Sequence, residues 1–347
     1  MLDRLLLFIT AGCLGTLLMK MHIPIPFMLG GMVTAILYKT LARGRAVAWP
    51  RLWRDFGLMI AGYGIGVNFN TAAWNNFLNE LRGVTEATAI ALGASIVIAI
   101  VTAKVTKEDL QSCIIGMLPG GMTMSLLMAE EDKRVNPNVV MVMQVLRLFG
   151  VIISVPFLTV WLLDAKVIHS PLAMASGAVG YHWAIFVPLT LLGSIIATKL
   201  KMPTPVLLGS ILMTTIFNIF VGSVQPVPGL LMAPAQLSIG LYMGMIMDAQ
   251  RIAKTRNIIP FVLGGTAILV LLSIGVAHIL SARYGFSLIT AFLAMAPGGI
   301  AEMALAGLSM GEDVATILAY QLVRLLAINI LVPPLVEFFF RNKKAIR

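Results

Sequence analysis

Apolar residues in this chain fall in long runs, and proline, glycine and charge punctuate them. Residues 5–19 are apolar and stop at Lys20, and Pro24 and Pro26 open a second run over 26–41. That run closes in a basic segment, Lys39, Arg43, Arg45, Arg51 and Arg54, with Trp49 and Trp53 inside it as interfacial anchors would be. A short glycine-rich run over 55–67, with Gly62, Gly64 and Gly66, suits close helix contact or a broken helix. Residues 68–82 are polar, 83–104 are a long apolar span, and 109–130 hold Pro119-Gly120-Gly121. Asn136-Pro137 is a helix start, because Asn caps free N–H groups and Pro fits the first turn; that helix runs to about residue 163.

The second half replays this order at offsets of 177 to 179 residues. Pro203, Pro205 and Gly209 repeat Pro24, Pro26 and Gly30, and Gly240 and Gly244 repeat Gly62 and Gly66. Pro297-Gly298-Gly299 repeats the first Pro-Gly-Gly, and Gln321 and Arg324 repeat Gln144 and Arg147. In both copies Gln stands three residues before the Arg and Pro nine after it. An internal duplication follows: residues 1–165 are a first membrane repeat, 166–180 a linker, and 181–347 a second membrane repeat.

Composition fixes the class. Hydrophobic residues make up 59% and charged residues 12%, against about 25% charge in soluble domains. The chain reads as an all-α polytopic membrane protein. Its net charge of +10 argues weakly for nucleic acid, since cytoplasmic loops of membrane proteins collect Lys and Arg and no recognition motif accompanies the charge. Cys13 and Cys113 read as small core residues. The N-terminal run has no small-residue cleavage site after it and reads as a retained first helix.

Charge also chooses between two topologies. If each Pro-Gly-Gly segment is a re-entrant hairpin, each half has five spans and the halves are inverted. With the C-terminus in the cytoplasm, 19 of the 25 Lys and Arg then lie inside and 4 outside, with Arg147 and Arg324 within spans. If the segments cross fully, the same count is 14 inside and 9 outside. The positive-inside bias favours two inverted repeats, about ten transmembrane helices and two hairpins that enter from opposite faces, with both termini cytoplasmic.

Pro cannot donate a backbone hydrogen bond and two glycines add freedom, so each Pro-Gly-Gly breaks its helix. Irregular backbone at membrane depth survives where protein or a cavity satisfies it, and paired breaks in symmetric places point to a transporter binding site. Arg147 lies ten residues past Pro137 and Arg324 eleven past Asp313, each about 15 Å deep. A mid-membrane arginine costs about 2.5–3.5 kcal/mol on the insertion scale, so both need partners. They either bond to hairpin carbonyls as structure or clamp a substrate carboxylate or phosphate, with Gln144 and Gln321 one turn away. Glu302 stands where the first copy has Met124, and either pairs with an arginine or acts as a coupling carboxylate. Thr123 and Ser125 supply hydroxyls in the first copy only. The four histidines form no ligand spacing and no nucleophile constellation stands out, so no metal, no cofactor and no enzyme activity are expected.

The expected substrate-binding set is therefore Pro119, Gly120, Gly121, Thr123, Gln144, Arg147, Pro297, Gly298, Gly299, Glu302, Gln321 and Arg324. Through the duplicated Pro-Gly-Gly and Gln-x-x-Arg elements the chain resembles the AbrB family of bacterial inner-membrane proteins. That resemblance implies an integral inner-membrane protein with the AbrB duplication and an association with regulation of gene expression. Some members are labelled ammonia monooxygenase, but no copper or iron ligand set accompanies the label here. The plan is also similar to that of inverted-repeat carboxylate symporters. The leading expectation is a secondary transporter of a small anionic metabolite, coupled to a proton or sodium ion, with the bilayer as its environment and a homo-oligomer left open. The alternatives are a membrane-embedded regulator or sensor and, third, a membrane monooxygenase.

Overall fold

Pro and Gly positions set where each helix starts and stops. The computed structural model describes residues 2–41, 48–69, 71–120, 122–132, 134–167, 182–221, 227, 229–247, 252 and 255–341. Among these there are no strands. The first half contains α1 (Leu2–Lys20), α2 (Pro26–Leu41), α3 (Arg51–Gly66), α4 (Thr71–Thr106), α5 (Leu110–Met117), α6 (Met122–Glu131) and α7 (Pro137–Trp161). The second contains α8 (His182–Lys199), α9 (Pro205–Phe220), α10 (Gly229–Ile246), α11 (Ile259–Tyr284), α12 (Leu288–Met295), α13 (Ile300–Met310) and α14 (Val314–Arg341). The order of long and short helices in α1–α7 is the order in α8–α14.

Several expectations change in detail. The polar stretch 68–82 is helical from Thr71 onward, because nothing between Thr71 and Thr106 breaks the backbone. Helix α3 begins at Arg51, directly after the extended Pro50, and runs unbroken through its glycines, so the close-contact reading holds and the broken-helix reading does not. Trp49 is no interfacial anchor: it is buried and stacked on Phe8 at 6.1 Å, whereas Trp53 is exposed. Cys113 is buried but Cys13 is exposed. The 166–180 linker, from residue 168 onward, and residues 42–47 of the basic segment lie outside the described residues.

Four helical stretches are long and apolar enough to cross a membrane: Asn79–Thr106, Pro137–Trp161, Arg256–Tyr284 and Val314–Leu331. They form two repeat-related pairs, α4 with α11 and α7 with α14. Shorter apolar helices add Pro26–Leu41, Ile185–Lys199, Pro205–Phe220, Leu230–Ile246 and Ile300–Met310. Large apolar side chains such as Leu191, Leu192, Ile195 and Ile196 stand exposed along α8, and Ile268, Leu271 and Ile279 along α11. Outward apolar faces on this scale suit lipid, not water. Among the described residues the protein is all-helical, and it is of membrane type.

The chain folds as two compact units, and neither is one half of the sequence. One unit gathers Met1–Leu78, Pro156–Asp248 and Ala301–Thr316; the other gathers Asn79–Val155, Ala249–Ile300 and Ile317–Arg347. In the first unit α2 packs on α10, α3 on α9, α1 on α2, α8 on α9, α1 on α10, α3 on α8, and α3 on α10. Exchanging each helix for its repeat counterpart returns the same set of pairs. The contacts repeat at residue level. A Cβ at Gly62 would lie 2.8 Å from the Leu207 carbonyl oxygen, and one at Gly240 would overlap the Met28 carbonyl oxygen. Gly66 meets Ile211 and Thr214 as Gly244 meets Met32 and Ala35. In lipid there is little hydrophobic drive between helices, so backbone approach at small residues is what holds them.

Helix ends in this unit are closed the same way. Lys39 Nζ donates to the carbonyls of Met245 and Met247 at the end of α10, and Asn218 Nδ2, the counterpart of Lys39, donates to Val67 and Phe69 beyond the end of α3 at 3.0 and 3.1 Å. These bonds satisfy carbonyls that a helix end leaves without partners.

The second unit holds the long helices and the helix breaks. Its core joins Ala99, Met117, Met143, Leu146 and Val262. In the first half of α4 and at the end of α11, Glu86 accepts from Arg82 and Arg283, each at 2.8 Å, and the Tyr284 ring lies where a Cβ at Gly83 would stand. Gly83 meets Tyr284 and, further along α4, Ile98 meets Gly265, so α4 and α11 run antiparallel. Exposed pairs of this kind add at most about 1 kcal/mol, so they report position more than stability.

Candidate functional site: two arginine-stapled helix breaks

Each break is built from the same parts. Asp109 caps α5 by accepting from Ser112 N at 2.8 Å, and Ser287 caps α12 by accepting from Thr290 N at 2.9 Å. Each short helix then runs into its proline and stops. The chain turns over three residues, with Gly120 N donating to Leu118 O and Gly298 N to Ala296 O, both at 2.8 Å. Pro119 and Pro297 are buried, and Gly120, Gly298 and Gly299 are half-buried. Gly121 lies outside the described residues, as does the side chain of Thr123 in α6. A Cβ at Gly120 would lie 2.6 Å from the Ile328 side chain, so this turn needs a glycine where α14 crosses it.

The arginines sit on the carbonyls that the breaks leave free. Arg147 is 5% exposed and donates through NH1 to Met117 O at 3.0 Å and to Leu118 O, and through NH2 to Gln144 Oε1 at 2.8 Å. Arg324 is 3% exposed and donates through NH1 to Met295 O and Ala296 O, both at 3.0 Å, and through NH2 to Gly298 O and Gln321 Oε1. The glutamines donate to the same turns. Gln144 Nε2 reaches Ile115 O, Leu118 O and Ser125 Oγ at 2.9, 3.2 and 3.0 Å, and Gln321 Nε2 reaches Leu293 O, Ala294 O and Ala296 O at 2.8, 3.3 and 3.1 Å.

Magnitudes explain why a buried guanidinium is tolerated here. The insertion cost is about 2.5–3.5 kcal/mol, and each hydrogen bond to a charged group returns about 1.5–3 kcal/mol. Two or three such bonds offset the cost, and they fall on carbonyls at the negative end of a helix dipole. Both arginines are therefore staples of the breaks. Their charge is satisfied by dipoles and is not neutralised by an acid among these bonds.

The two breaks differ in detail. Glu302 is 2% exposed in the first turn of α13, whereas the first turn of α6 has no acid. Ser125 stands where the second copy has the buried Met303. Arg147 Nε is buried with no hydrogen-bond partner among the described residues. The expected set contained both arginines and both glutamines. It lacked the carbonyl acceptors, the Ile328 contact and the bond from Gln144 to Ser125; a hydroxyl one turn into α6 was the only sequence sign of that last bond. Among the described residues there is no cluster of three His, Cys, Asp or Glu side chains that could hold a metal ion.

A family model described as "Transition state regulatory protein AbrB" matches residues 27–340, which include both breaks and both arginines. The chain belongs to the AbrB family. Within that group it is 27% identical over 346 residues to the Bacillus subtilis (strain 168) protein named "Uncharacterized protein YhjN", covering 92% of this chain and 88% of that one. It is 23% identical over 322 residues to the Escherichia coli (strain K12) protein named "Putative regulator AbrB", covering 92% of this chain and 91% of that one. The AbrB match runs across both sequence halves and both compact units.

Proposed function

We propose that this AbrB-family protein is a secondary transporter of a small anionic metabolite across the bacterial inner membrane. The observation that carries the reading is the pair of buried guanidinium groups at two helix breaks of one compact unit, bonded to carbonyls and side-chain amides with no acid among their partners. Two like charges in a low-dielectric interior favour an anion beside them. Broken helices at membrane depth are where transporters hold their substrates.

The reading includes ten spans, two re-entrant hairpins and inverted halves with both termini cytoplasmic, and four contacts support it. Arg82 and Arg283 share Glu86 and so lie on one side; inverted halves put both outside, and fully crossing segments would separate them. Lys39 bonds to Met245 and Met247, and Asn218 to Val67 and Phe69, which the same comparison also favours. Asn136 N donates to Ser112 Oγ at 2.7 Å, so the start of α7 returns to the start of α5, as a hairpin requires. In this reading a proton or sodium ion is the coupling ion.

Purified protein in liposomes tests it. Uptake of at least one member of an organic-anion panel, driven by an imposed proton or sodium gradient, is the expected result; no flux under any gradient would sink the proposal. The family description and the name of the E. coli relative favour a second reading, a membrane regulator that binds a cytoplasmic partner through the basic 39–54 segment. That partner would be lost when Arg43, Arg45, Arg51 and Arg54 are neutralised.

A further inference from the structure

One buried acid takes no part in stapling the breaks. Residues 300–307, the first two turns of α13, are buried without interruption, so no face of this helix start reaches water. Their sequence, Ile-Ala-Glu-Met-Ala-Leu-Ala-Gly, offers a single polar side chain, Glu302, which is 2% exposed. The first copy has Met124 at this place.

The arginine of the same break is committed elsewhere. The two NH1 donors of Arg324 go to Met295 O and Ala296 O, and the two NH2 donors go to Gly298 O and Gln321 Oε1. Each terminal N–H thus has an acceptor, and none of those acceptors is an acid. The Glu302 carboxyl takes the N–H of its own residue, one of the four that a helix start leaves free. Among the described residues no charged or titratable side chain, on α13 or on any neighbouring element, acts on it. Two effects then compete. The helix N-terminus favours the anion, but a carboxylate taken out of water without a cation costs more than that dipole returns. A bound proton removes the conflict, because a neutral acid is what an apolar site holds.

A sodium ion fits this place less well. Hard cations need several oxygen ligands. The carbonyls of the break already face a guanidinium, and Ala301 and Met303 flank Glu302, with Leu305 and Ala306 one turn on. The helix start supplies one carboxyl, which is enough for a proton.

We infer that Glu302 is the proton carrier of the transport cycle: its carboxylate takes up one H+ to become the neutral acid that the sealed start of α13 accommodates, and returns to carboxylate by giving that H+ to water. This rests on the transporter reading and names its coupling ion. The two copies supply one such proton site per chain, since Met124 cannot titrate.

Infrared spectroscopy of detergent-purified, full-length protein at neutral pH reads the bound proton directly. Wild type should show a protonated-carboxyl C=O band that shifts in D2O, and Glu302→Gln should lack it; no difference between the two overturns the assignment. Glu302→Gln keeps the shape of the neutral acid, so it should melt with wild type, and a marked loss of stability overturns the assignment as well. Transport is read in liposomes with the membrane potential clamped, using succinate, citrate and glutamate as probes. An imposed pH difference, acid outside, should drive accumulation by wild type of about ten-fold per pH unit, the limit for one proton per anion. A sodium gradient should drive none, and Glu302→Gln should lose the proton-driven accumulation. Equal proton-driven accumulation by wild type and Glu302→Gln, or accumulation driven by sodium, overturns this inference and leaves the transporter reading standing. If no anion moves under any gradient, the transporter reading falls and the carrier role falls with it, while the infrared band still reports the proton on Glu302.

Discussion

The tightest helix contact in the first compact unit is at Gly240, and replacing it with alanine measures how the unit is held. The added Cβ would overlap the carbonyl oxygen of Met28 and lie 2.9 and 3.0 Å from Met28 C and Cα. These are backbone atoms, so no side-chain rotation can make room. Carbon contacts are comfortable at about 3.5–4.0 Å, so α10 and α2 must part by about 1 Å along the contact. A gap of that size gives up a quarter to a half of the dispersion energy of the facing atoms, and overpacking of this kind costs about 1–3 kcal/mol. At roughly 2 °C per kcal/mol for a chain of this length, Gly240→Ala should lower the melting temperature by up to about 6 °C. Gly264→Ala is the control. Gly264 is exposed in α11 with nothing within 4 Å of its Cβ position, so alanine there should add about 0.5–1 kcal/mol through helix propensity. Both are read by thermal unfolding of detergent-purified protein. If Gly240→Ala melts at or above wild type, the helices are not in backbone contact and the packing account is wrong.

Further measurements test other parts. Arg324→Met should destabilise by about 1–3 kcal/mol, because Met295 O, Ala296 O and Gln321 Oε1 each lose a charged donor, whereas Arg283→Met on the exposed ion pair should cost under about 1 kcal/mol; both are read by denaturation. Single cysteines at positions 82 and 283, in a chain lacking Cys13 and Cys113, should react with a membrane-impermeant thiol reagent from the same side of intact vesicles, and labelling from opposite sides would overturn the inverted topology. Asp109→Ala and Ser287→Ala each remove an N-cap and should each cost about 0.5–2 kcal/mol, again by melting.

Much of the site was legible in the sequence because its residues carry their geometry with them. Pro119 and Pro297 end helices wherever they stand, and arginines ten or so residues inside apolar helices demand partners. The duplication let each copy check the other. What the sequence could not show was which acceptors the arginines find, since backbone carbonyls are the same at every residue. Nor could it show which helices cross: Gly62 and Gly66 announce a close contact but carry no mark of α9 as the partner. Trp49 read as an anchor because its neighbours are basic, and it is buried because Phe8, far away in the chain, stacks on it. The stretch after Thr71 read only as polar because its composition gives no apolar period, yet with no breaker the helix continues.

The exchange of partners between halves bears on how the protein is made. The groove that α3 needs is supplied by α9, and the one that α2 fills is completed by α10, so neither half can finish its own packing. At ribosomal rates of about 5–20 residues per second, α3 waits roughly ten to thirty seconds in the bilayer before α9 emerges. During that interval its Gly62 and Gly66 face lacks the α9 partner it has in the folded chain. Maturation is therefore a late docking step, in which helices already inserted find partners encoded in the other half of the message.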